Sequence, residues 1–414
     1  MNIRCRILLL CLGALFPQWL YPGEENRVRF FFAGDLMQHG AQIRSARQAD
    51  GHYDYDTCFS FIRERVRDSD LAVVNMETSF SGPPYTGYPS FSSPDVLVSA
   101  VLRNGFNVFL TANNHILDKG SAGALRTIAL YDSMGVSHCG TTPPWIMLEK
   151  NGIKVAILNY TYASNRHVPA NIFPVNRIDT LLIEKHIREV REKNAACIIC
   201  CMHWGTEYQL HPSGQQRLLA DWLCSKGVTA VIGSHPHVPQ PIEIRKRSDG
   251  KTAFLVAYSL GNFISNQPEP FSGMGLILSF DVEVTQEGPH IASAWYEWIW
   301  TWRPSEDGKT IYHVLPVSDP RLYRNVVKKP DDTLIICKTV KTLRNFMRET
   351  SPDINERRRY PPYERENLYF GNHPAFGPLW ARQSVNPPLK EGIPTAQNCC
   401  PGRTNQSAGA TRSD

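Results

Sequence analysis

Two histidines one residue apart, His235 and His237, follow an apolar run that breaks at a glycine (Val231-Ile-Gly-Ser-His-Pro-His-Val238). On extended backbone, residues two apart point to the same side, and Pro236 biases His235 towards extended dihedrals. The pair is therefore expected to turn both imidazoles towards one metal ion. Four other segments end in comparable groups. Asp35 follows Gly34 and offers a hard oxygen ligand. Asn75 and Glu77, again two apart, can share one face. Asn114 and His115 put a carbonyl oxygen beside a proton carrier. His203 stands before Trp204-Gly205, with Glu207 four residues beyond it. Each alone has an ordinary reading: a turn or capping residue, a solvated carboxylate, or a hydrogen-bonded strand-end histidine.

Taken together, neutral histidines with carboxylate and amide oxygens suit a borderline divalent ion (Mn, Zn or Fe) rather than a calcium cage or a thiolate zinc site. Asp35, Glu77, Asn114, His203, His235 and His237 supply six ligands. Two ions need about seven or eight, some shared or from water, so the count allows one ion and a second only by sharing. The chemistry expected of such a centre is hydrolysis, the ion lowering the pKa of a bound water to make the nucleophile. His115 then gives a proton to the leaving group, and Glu207 orients a ligand or acts as base. Competing chemistries lack their motifs: there is no P-loop, no Gly-x-Gly-x-x-Gly after a strand and no Gly-x-Ser-x-Gly. Ser234 beside His235 has no supporting pattern as a nucleophile.

These residues need strands to hold them. Apolar runs at 28–34, 71–74, 107–111, 197–202 and 228–232 each end at a candidate group. Helical patterns lie between them. Phe59, Ile62 and Val66 are helically spaced; Ser93-Pro94-Asp95 opens a helix closed by Asn104-Gly105; Ser121 is the expected N-cap of a helix through Met134, with Gly135 at its end. A charged amphipathic helix is expected from about 179 to 193. Another runs from Pro212 to Lys226, with Leu218, Leu219, Trp222 and Leu223 as its apolar face and Gly227 as its stop. Alternating strands and helices predict an α/β layered fold whose ligands collect beyond the carboxyl ends of the strands. Beyond Pro239 the pattern predicts antiparallel strands without long helices, at 240–245, 253–260, 275–284 and 292–302, completing a second sheet.

The chain has 414 residues, 42% hydrophobic and 20% charged, enough for one large domain or two ordinary ones. A net charge of +5 with dispersed basic residues gives no reason to expect a nucleic-acid partner. Residues 1–22 carry Arg4, Arg6 and an apolar run from Ile7 to Phe16, the pattern of a secretory signal, or of an uncleaved anchor since no small-x-small site follows. The body is therefore expected in the periplasm or outside the cell, with the N-terminus as its membrane anchor. Of eleven cysteines, Cys197, Cys200 and Cys201 fall in one apolar strand, where buried packing is expected rather than redox chemistry. The tail, 350–414, is rich in proline and arginine and expected to be disordered towards its end.

Six motifs in order resemble a known family: Phe32-Ala-Gly-Asp35, Leu71-Ala-Val-Val-Asn-Met-Glu77, Thr111-Ala-Asn-Asn-His-Ile-Leu-Asp-Lys-Gly120, Met202-His-Trp-Gly-Thr-Glu207, Gly233-Ser-His-Pro-His237 and Tyr258-Ser-Leu-Gly-Asn-Phe263. Over roughly residues 28–320 the chain resembles the bacterial capsule-synthesis CapA family, or poly-γ-glutamate biosynthesis family, which is similar to calcineurin-like metallophosphoesterases. The resemblance implies a four-layer α/β/β/α sandwich of two mixed sheets across 28–345, a divalent metal site, and Asn75 and Asn262 as substrate-binding residues. As partners it implies an anionic surface polymer such as poly-γ-glutamate and membrane-bound capsule synthesis proteins. Set against the metallophosphoesterase motifs, Met37 stands where the histidine of Asp-x-His is expected, and Glu77 or Asn75 replaces the bridging aspartate. Asn114-His115 matches the asparagine and catalytic histidine but is followed by Ile116 instead of an acid. Met37 favours a one-metal or altered site. Two functions follow: a metal-dependent hydrolase of a phosphodiester or amide bond, or a non-catalytic assembly or transport factor holding an anionic chain in the same cleft.

Overall fold

A computed structural model describes residues 26–306 and 308–358; the expected signal and the tail beyond 358 lie outside the described residues. The N-terminal half alternates β1 (Arg27–Leu36), α1 (Gly40–Ala46), α2 (Arg63–Arg67), β2 (Leu71–Met76), α3 (Val96–Arg103), β3 (Val108–Leu110), α4 (Gly120–Ser133) and β4 (Ser137–Cys139). The strands β1 to β4 pair in parallel. Then come β5 (Trp145–Lys150), β6 (Ile153–Thr161), α5 (Thr180–Glu192), β7 (Cys197–His203), α6 (Gly214–Ser225) and β8 (Ala230–Ser234). Of these, β6, β7 and β8 are parallel and β5 is an antiparallel edge.

The remainder supplies β9 (Ile242–Lys246), β10 (Thr252–Ala257), β11 (Asn262–Ile264), β12 (Met274–Thr285) and β13 (Gly288–Trp302). Two-residue strands β14 (Ser305–Glu306) and β15 (Lys309–Thr310), then β16 (His313–Pro316), α7 (Pro320–Val326), α8 (Pro330–Thr350) and β17 (Asn355–Glu356) complete the described chain. The strand order is β4-β3-β2-β1-β12-β13-β10-β8-β7-β6-β5. In the strand ladder the two halves meet at one register pair, Thr252 of β10 and Ile291 of β13, so the continuous path contains two mixed halves.

Side-chain alternation explains the layering. Phe30 and Phe32 of β1, Val73 of β2, Ile199 and Cys201 of β7 and Ile232 of β8 share one core between the halves. Their neighbours point outward: Phe31, Ala33, Ala72 and Val74 pack with α3 and α4, whereas Ile198, Cys200, Met202 and Val231 pack with α5 and α6. The expected cysteine packing is borne out, since Cys197, Cys200 and Cys201 are buried and burial pushes their thiols up.

Most helix punctuation follows the sequence. Asp179 caps α5 by accepting from Leu182 N at 2.9 Å, Ser213 and Gln216 form a capping box on α6, and Gly135 and Gly227 adopt φ of 67° and 71° after α4 and α6. Three expectations are corrected. Ser121 is not an N-cap: the Leu117–Gly120 turn is already closed, so α4 begins at Gly120. Leu218 faces water, because α6 buries Gln216, Ala220 and Leu223 instead. The region after Pro239 does contain a long helix, α8, which buries Ile336, Val340, Leu343 and Met347 at helical spacing in the central core. Each such side chain contributes roughly 1.5–3 kcal/mol of burial. Lys and Arg between those positions dilute the apolar signal in the sequence.

Candidate metal centre

The parallel strands end together. Asp35 of β1 pairs in register with Asn75 of β2 and, on its other side, with Asn262 of β11; His203 of β7 pairs with Ser234 of β8. Two glycines permit this convergence. A Cβ on Gly34 would lie 1.9 Å from Gly261 O, and one on Gly233 would lie 1.9 Å from Tyr258 O. The His-Pro-His segment does not continue the strand as expected. β8 stops at Ser234, and His235 and His237 adopt φ of 95° and 59°, so both rings reach the centre from a left-handed turn. In that turn the His235 N–H donates to Asp35 Oδ2 at 3.2 Å.

Around the centre the polar groups interlock. Asn75 Nδ2 donates to Asp35 Oδ1 at 2.8 Å and to Glu77 Oε2 at 3.3 Å, holding the two carboxylates together. His237 Nδ1 is 3.1 Å from both Asp35 Oδ2 and Asn262 Oδ1. His203 places Nε2 at 2.9 Å from Asn114 Oδ1 and Nδ1 at 3.0 Å from Ser234 Oγ. Glu77 Oε1 lies 3.6 Å from His203 Nε2 and 3.8 Å from His237 Nε2. All of these side chains are buried.

Burial sets the charges. It pushes Glu77 well above the ordinary carboxylate range, with the Asp35 carboxylate adding to the effect. For Asp35 burial acts upward too, but His237, Asn75 and the His235 N–H together hold its carboxyl below the usual value. Burial and the neighbouring imidazoles depress His203 far below its ordinary value and His235 to about 3. Both effects oppose an ion pair between His203 and Glu77: burial favours the neutral imidazole and disfavours the carboxylate.

A divalent cation fits this donor set. Glu77 Oε1 and His235 Nδ1 are buried without a hydrogen-bond partner. Ligand atoms of Glu77, His203 and His235 lie within 4.8 Å of one another, as do those of Asp35, Glu77 and His237, so Glu77 belongs to both groups. A cation at either position would favour the ionised carboxylate and use the neutral imidazoles as they stand.

The structure thus brings Asp35, Asn75, Glu77, Asn114, His203, His235, His237 and Asn262 to one place. Glu207 is exposed at its rim, with ligand atoms within 4.8 Å of His235 and His237. Met37 is buried after β1, its N–H bonded to Ile264 O at 3.0 Å. His115 stands beside the centre, its Nδ1 2.8 Å from Asp118 Oδ2. Asp118 escaped the sequence reading although the i, i+3 spacing in His115-Ile-Leu-Asp118 signals it. Asn113, whose Oδ1 accepts from His115 N at 3.1 Å, and Asn165, whose Nδ2 is 3.2 Å from His115 Nδ1, were also missed. Asn165 lies in a loop with no pattern of its own. His39 was missed as well; its ring packs edge-on against Phe91 at 5.6 Å, and Phe91 packs on His115 at 4.6 Å.

Fold and site together define an α/β protein with a buried carboxylate–imidazole centre, compatible with a divalent cation, at the carboxyl ends of its parallel strands. Residues 29–267 match the family described as bacterial capsule synthesis protein PGA_cap, and the chain belongs to that family. It is 26% identical over 262 residues to the capsule biosynthesis protein CapA of Bacillus anthracis, covering 59% of this chain and 61% of that protein. It is 28% identical over 275 residues to the PGA biosynthesis protein CapA of Bacillus subtilis, covering 60% of this chain and 68% of that one. The chain thus spans less than two thirds of the Bacillus anthracis relative's length. Among solved structures, the calcineurin-like phosphoesterase YfkN of Bacillus subtilis aligns over 78% of this chain and 99% of its own, at 13% identity and a TM-score of 0.37. The Thermus sulfate thiohydrolase SoxB aligns over 79% and 62%, at 11% identity and the same TM-score of 0.37. No helix among the described residues is long and apolar enough to cross a membrane.

Proposed function

We propose that this protein is a metal-dependent hydrolase of capsule or poly-γ-glutamate production, exported and held at the membrane by its N-terminus, acting on a bond in an anionic surface polymer. The observation that carries the reading is Glu77. It is a buried carboxylate with one oxygen unpartnered by the protein, shared between two triads of ligand atoms. In this reading Asp35, Glu77, Asn114, His203, His235 and His237 hold the cation, which supplies Lewis-acid activation. Mn, Zn and Fe suit such donors.

The chain's own residues do the rest. Asp118 fixes the His115 ring through Nδ1, leaving Nε2 as the atom that passes a proton to the leaving group. Phe91 packs against that ring and limits its rotation. Asn75 keeps Asp35 and Glu77 within reach of one ion despite their mutual repulsion, and Asn262 orients His237. Glu207, at the exposed rim, meets the incoming substrate.

Buried Met37, occupying the position expected for a further histidine, favours the second reading: a non-catalytic factor that holds the polymer in this cleft, working with membrane-bound capsule synthesis proteins. The His115–Asp118 pair favours the enzyme, since a polymer-holding site has no use for an oriented proton carrier. Metal stoichiometry of the purified protein, then turnover of a generic phosphodiester and of poly-γ-glutamate by wild type, Asp35→Asn and His115→Ala, separates them. A metal-loaded wild type active on either substrate, with both variants impaired, supports the hydrolase. A protein that takes up no divalent ion and turns over neither substrate overturns it.

A further inference from the structure

We propose that a basic, tyrosine-lined groove beside the His115–Asp118 pair is a docking subsite for an extended polycarboxylate chain. The polycarboxylate identity rests on the function proposed above; the groove's preference for a multiply charged anion rests on its own residues. The groove encloses about 550 Å3. One wall follows α1, with Gly40, Ile43 and Arg44 on one face at i, i+3 and i+4 and Arg47, the residue that follows its last turn, beyond them. Tyr53 extends that side, and the facing wall is the segment from Tyr85 to Ser90 with Lys119. The walls touch at Gly87, where a Cβ would lie 2.2 Å from Gly40 N.

Its charge is one-sided. Arg44, Arg47 and Lys119 line it, no acidic residue does, and none of the three side chains has an ion-pair partner among the described residues. Single lysines and arginines on a convex surface are merely solvated. Three unpaired cations converging on a concavity reinforce one another's potential and draw anions into it. Their arrangement suits an anion with several charged groups: Arg44 and Arg47 stand three residues apart on one wall and Lys119 on the other, so cations line both sides of the groove. Planar guanidinium groups favour carboxylates held by two hydrogen bonds, and tyrosine hydroxyls supply neutral donors between them.

The groove is also tied to the centre. Thr86 and Ser92 exchange backbone hydrogen bonds of 3.0 and 2.8 Å, making the segment a stiff hairpin. Beyond its tip, Ser90 Oγ donates to Asp118 O at 3.1 Å and Phe91 N donates to Asp118 Oδ2 at 2.8 Å, the carboxylate oxygen that also holds His115. Lys119 is the next residue in the chain. A polymer lying against Arg44, Arg47 and Lys119 therefore sits one hydrogen-bonded layer from the proton carrier.

The test is binding by the full chain, measured by fluorescence anisotropy with labelled poly-γ-glutamate and, separately, labelled inorganic polyphosphate across a series of salt concentrations. Wild type should bind poly-γ-glutamate with an affinity that falls as salt rises. The double substitution Arg44→Gln, Arg47→Gln should weaken that affinity about tenfold or more and flatten its salt dependence. Metal content and the thermal midpoint report that the variant is folded. A folded variant with wild-type affinity and salt dependence overturns the groove, as does a wild type that binds neither polymer. Binding of polyphosphate alone overturns the polycarboxylate assignment. A protein that holds poly-γ-glutamate through Arg44 and Arg47 yet cleaves nothing supports the groove while removing the hydrolase.

Discussion

Asp118 holds His115 beside the carboxylate–imidazole cluster: its Oδ2 lies 2.8 Å from His115 Nδ1 and, at the same distance, accepts the backbone N–H of Phe91. One carboxylate oxygen thereby orients the candidate proton carrier and anchors the hairpin whose aromatic ring packs against it. Replacing that oxygen disturbs orientation without touching the metal ligands.

Asp118→Asn should accordingly lower kcat towards a small phosphodiester by roughly 10–100-fold with KM nearly constant, the range seen when a ligand-orienting partner is lost. An amide can offer His115 an N–H donor in place of an acceptor, inverting the ring's tautomer. Metal content should be unchanged. An undiminished kcat would remove Asp118 from the mechanism.

Glu77→Gln separates folding from ligation. The folded-state pKa of Glu77 is raised, so the native chain holds its proton more tightly than the unfolded chain, and stability falls as pH rises above about 4.3. The neutral amide escapes this loss. Metal-free Glu77→Gln should melt higher than metal-free wild type at neutral pH. Wild type, conversely, should gain about 2.7 kcal/mol at a hundredfold excess of divalent ion over its dissociation constant, and the variant should gain little. Differential scanning calorimetry with and without the ion reads both effects; equal metal-induced shifts in the two proteins would show that Glu77 is not a ligand.

The histidines act in the opposite direction. Burial depresses His203 strongly, His235 to about 3 and His39 to about 4, so the native chain binds fewer protons here than the unfolded chain. Their contribution is complete above about pH 6.5 and is lost as pH falls through the window down to 3. The metal-free protein should lose thermal stability steadily between pH 7 and pH 5, and His39→Asn should make that slope shallower. Added divalent ion should delay the loss at first and then fail as protons compete for the imidazoles. A melting temperature flat over that range would contradict the burial argument.

Gly233→Ala tests the packing that brings β8 to the centre. The new Cβ would fall 1.9 Å from the Tyr258 carbonyl oxygen, a backbone atom that cannot swing aside. Overpacking of this kind costs about 3 kcal/mol or more, and the variant should lose metal affinity with stability. Gly214→Ala, at the start of α6 with no atom within 4 Å of the new Cβ, is the control and should change stability by less than about 1 kcal/mol. Equal behaviour of the two in urea denaturation would refute the close-approach explanation.

The sequence by itself determined the strand–helix alternation and the residues that the strand ends carry. Strand patterning and helix stops are local properties, so the strand carrying Phe30 and Phe32 and the stops at Gly135 and Gly227 could be read without neighbours, and so could Asp35, Glu77, His203 and the His235–His237 pair. Tertiary structure alone decided how those ends meet. The left-handed turn at His235 and His237 overrides the local preference of His-Pro for extended backbone, because it lets His235 N–H reach a carboxylate 200 residues away in the chain. The Asn75 clamp on Asp35 and Glu77, the Phe91 ring against His115, and the groove between α1 and the Tyr85–Ser90 segment likewise join residues far apart in the chain. Burial then shifts Glu77 up and His203 and His235 down, because desolvation depends on what surrounds a group in space and not on its neighbours in the chain.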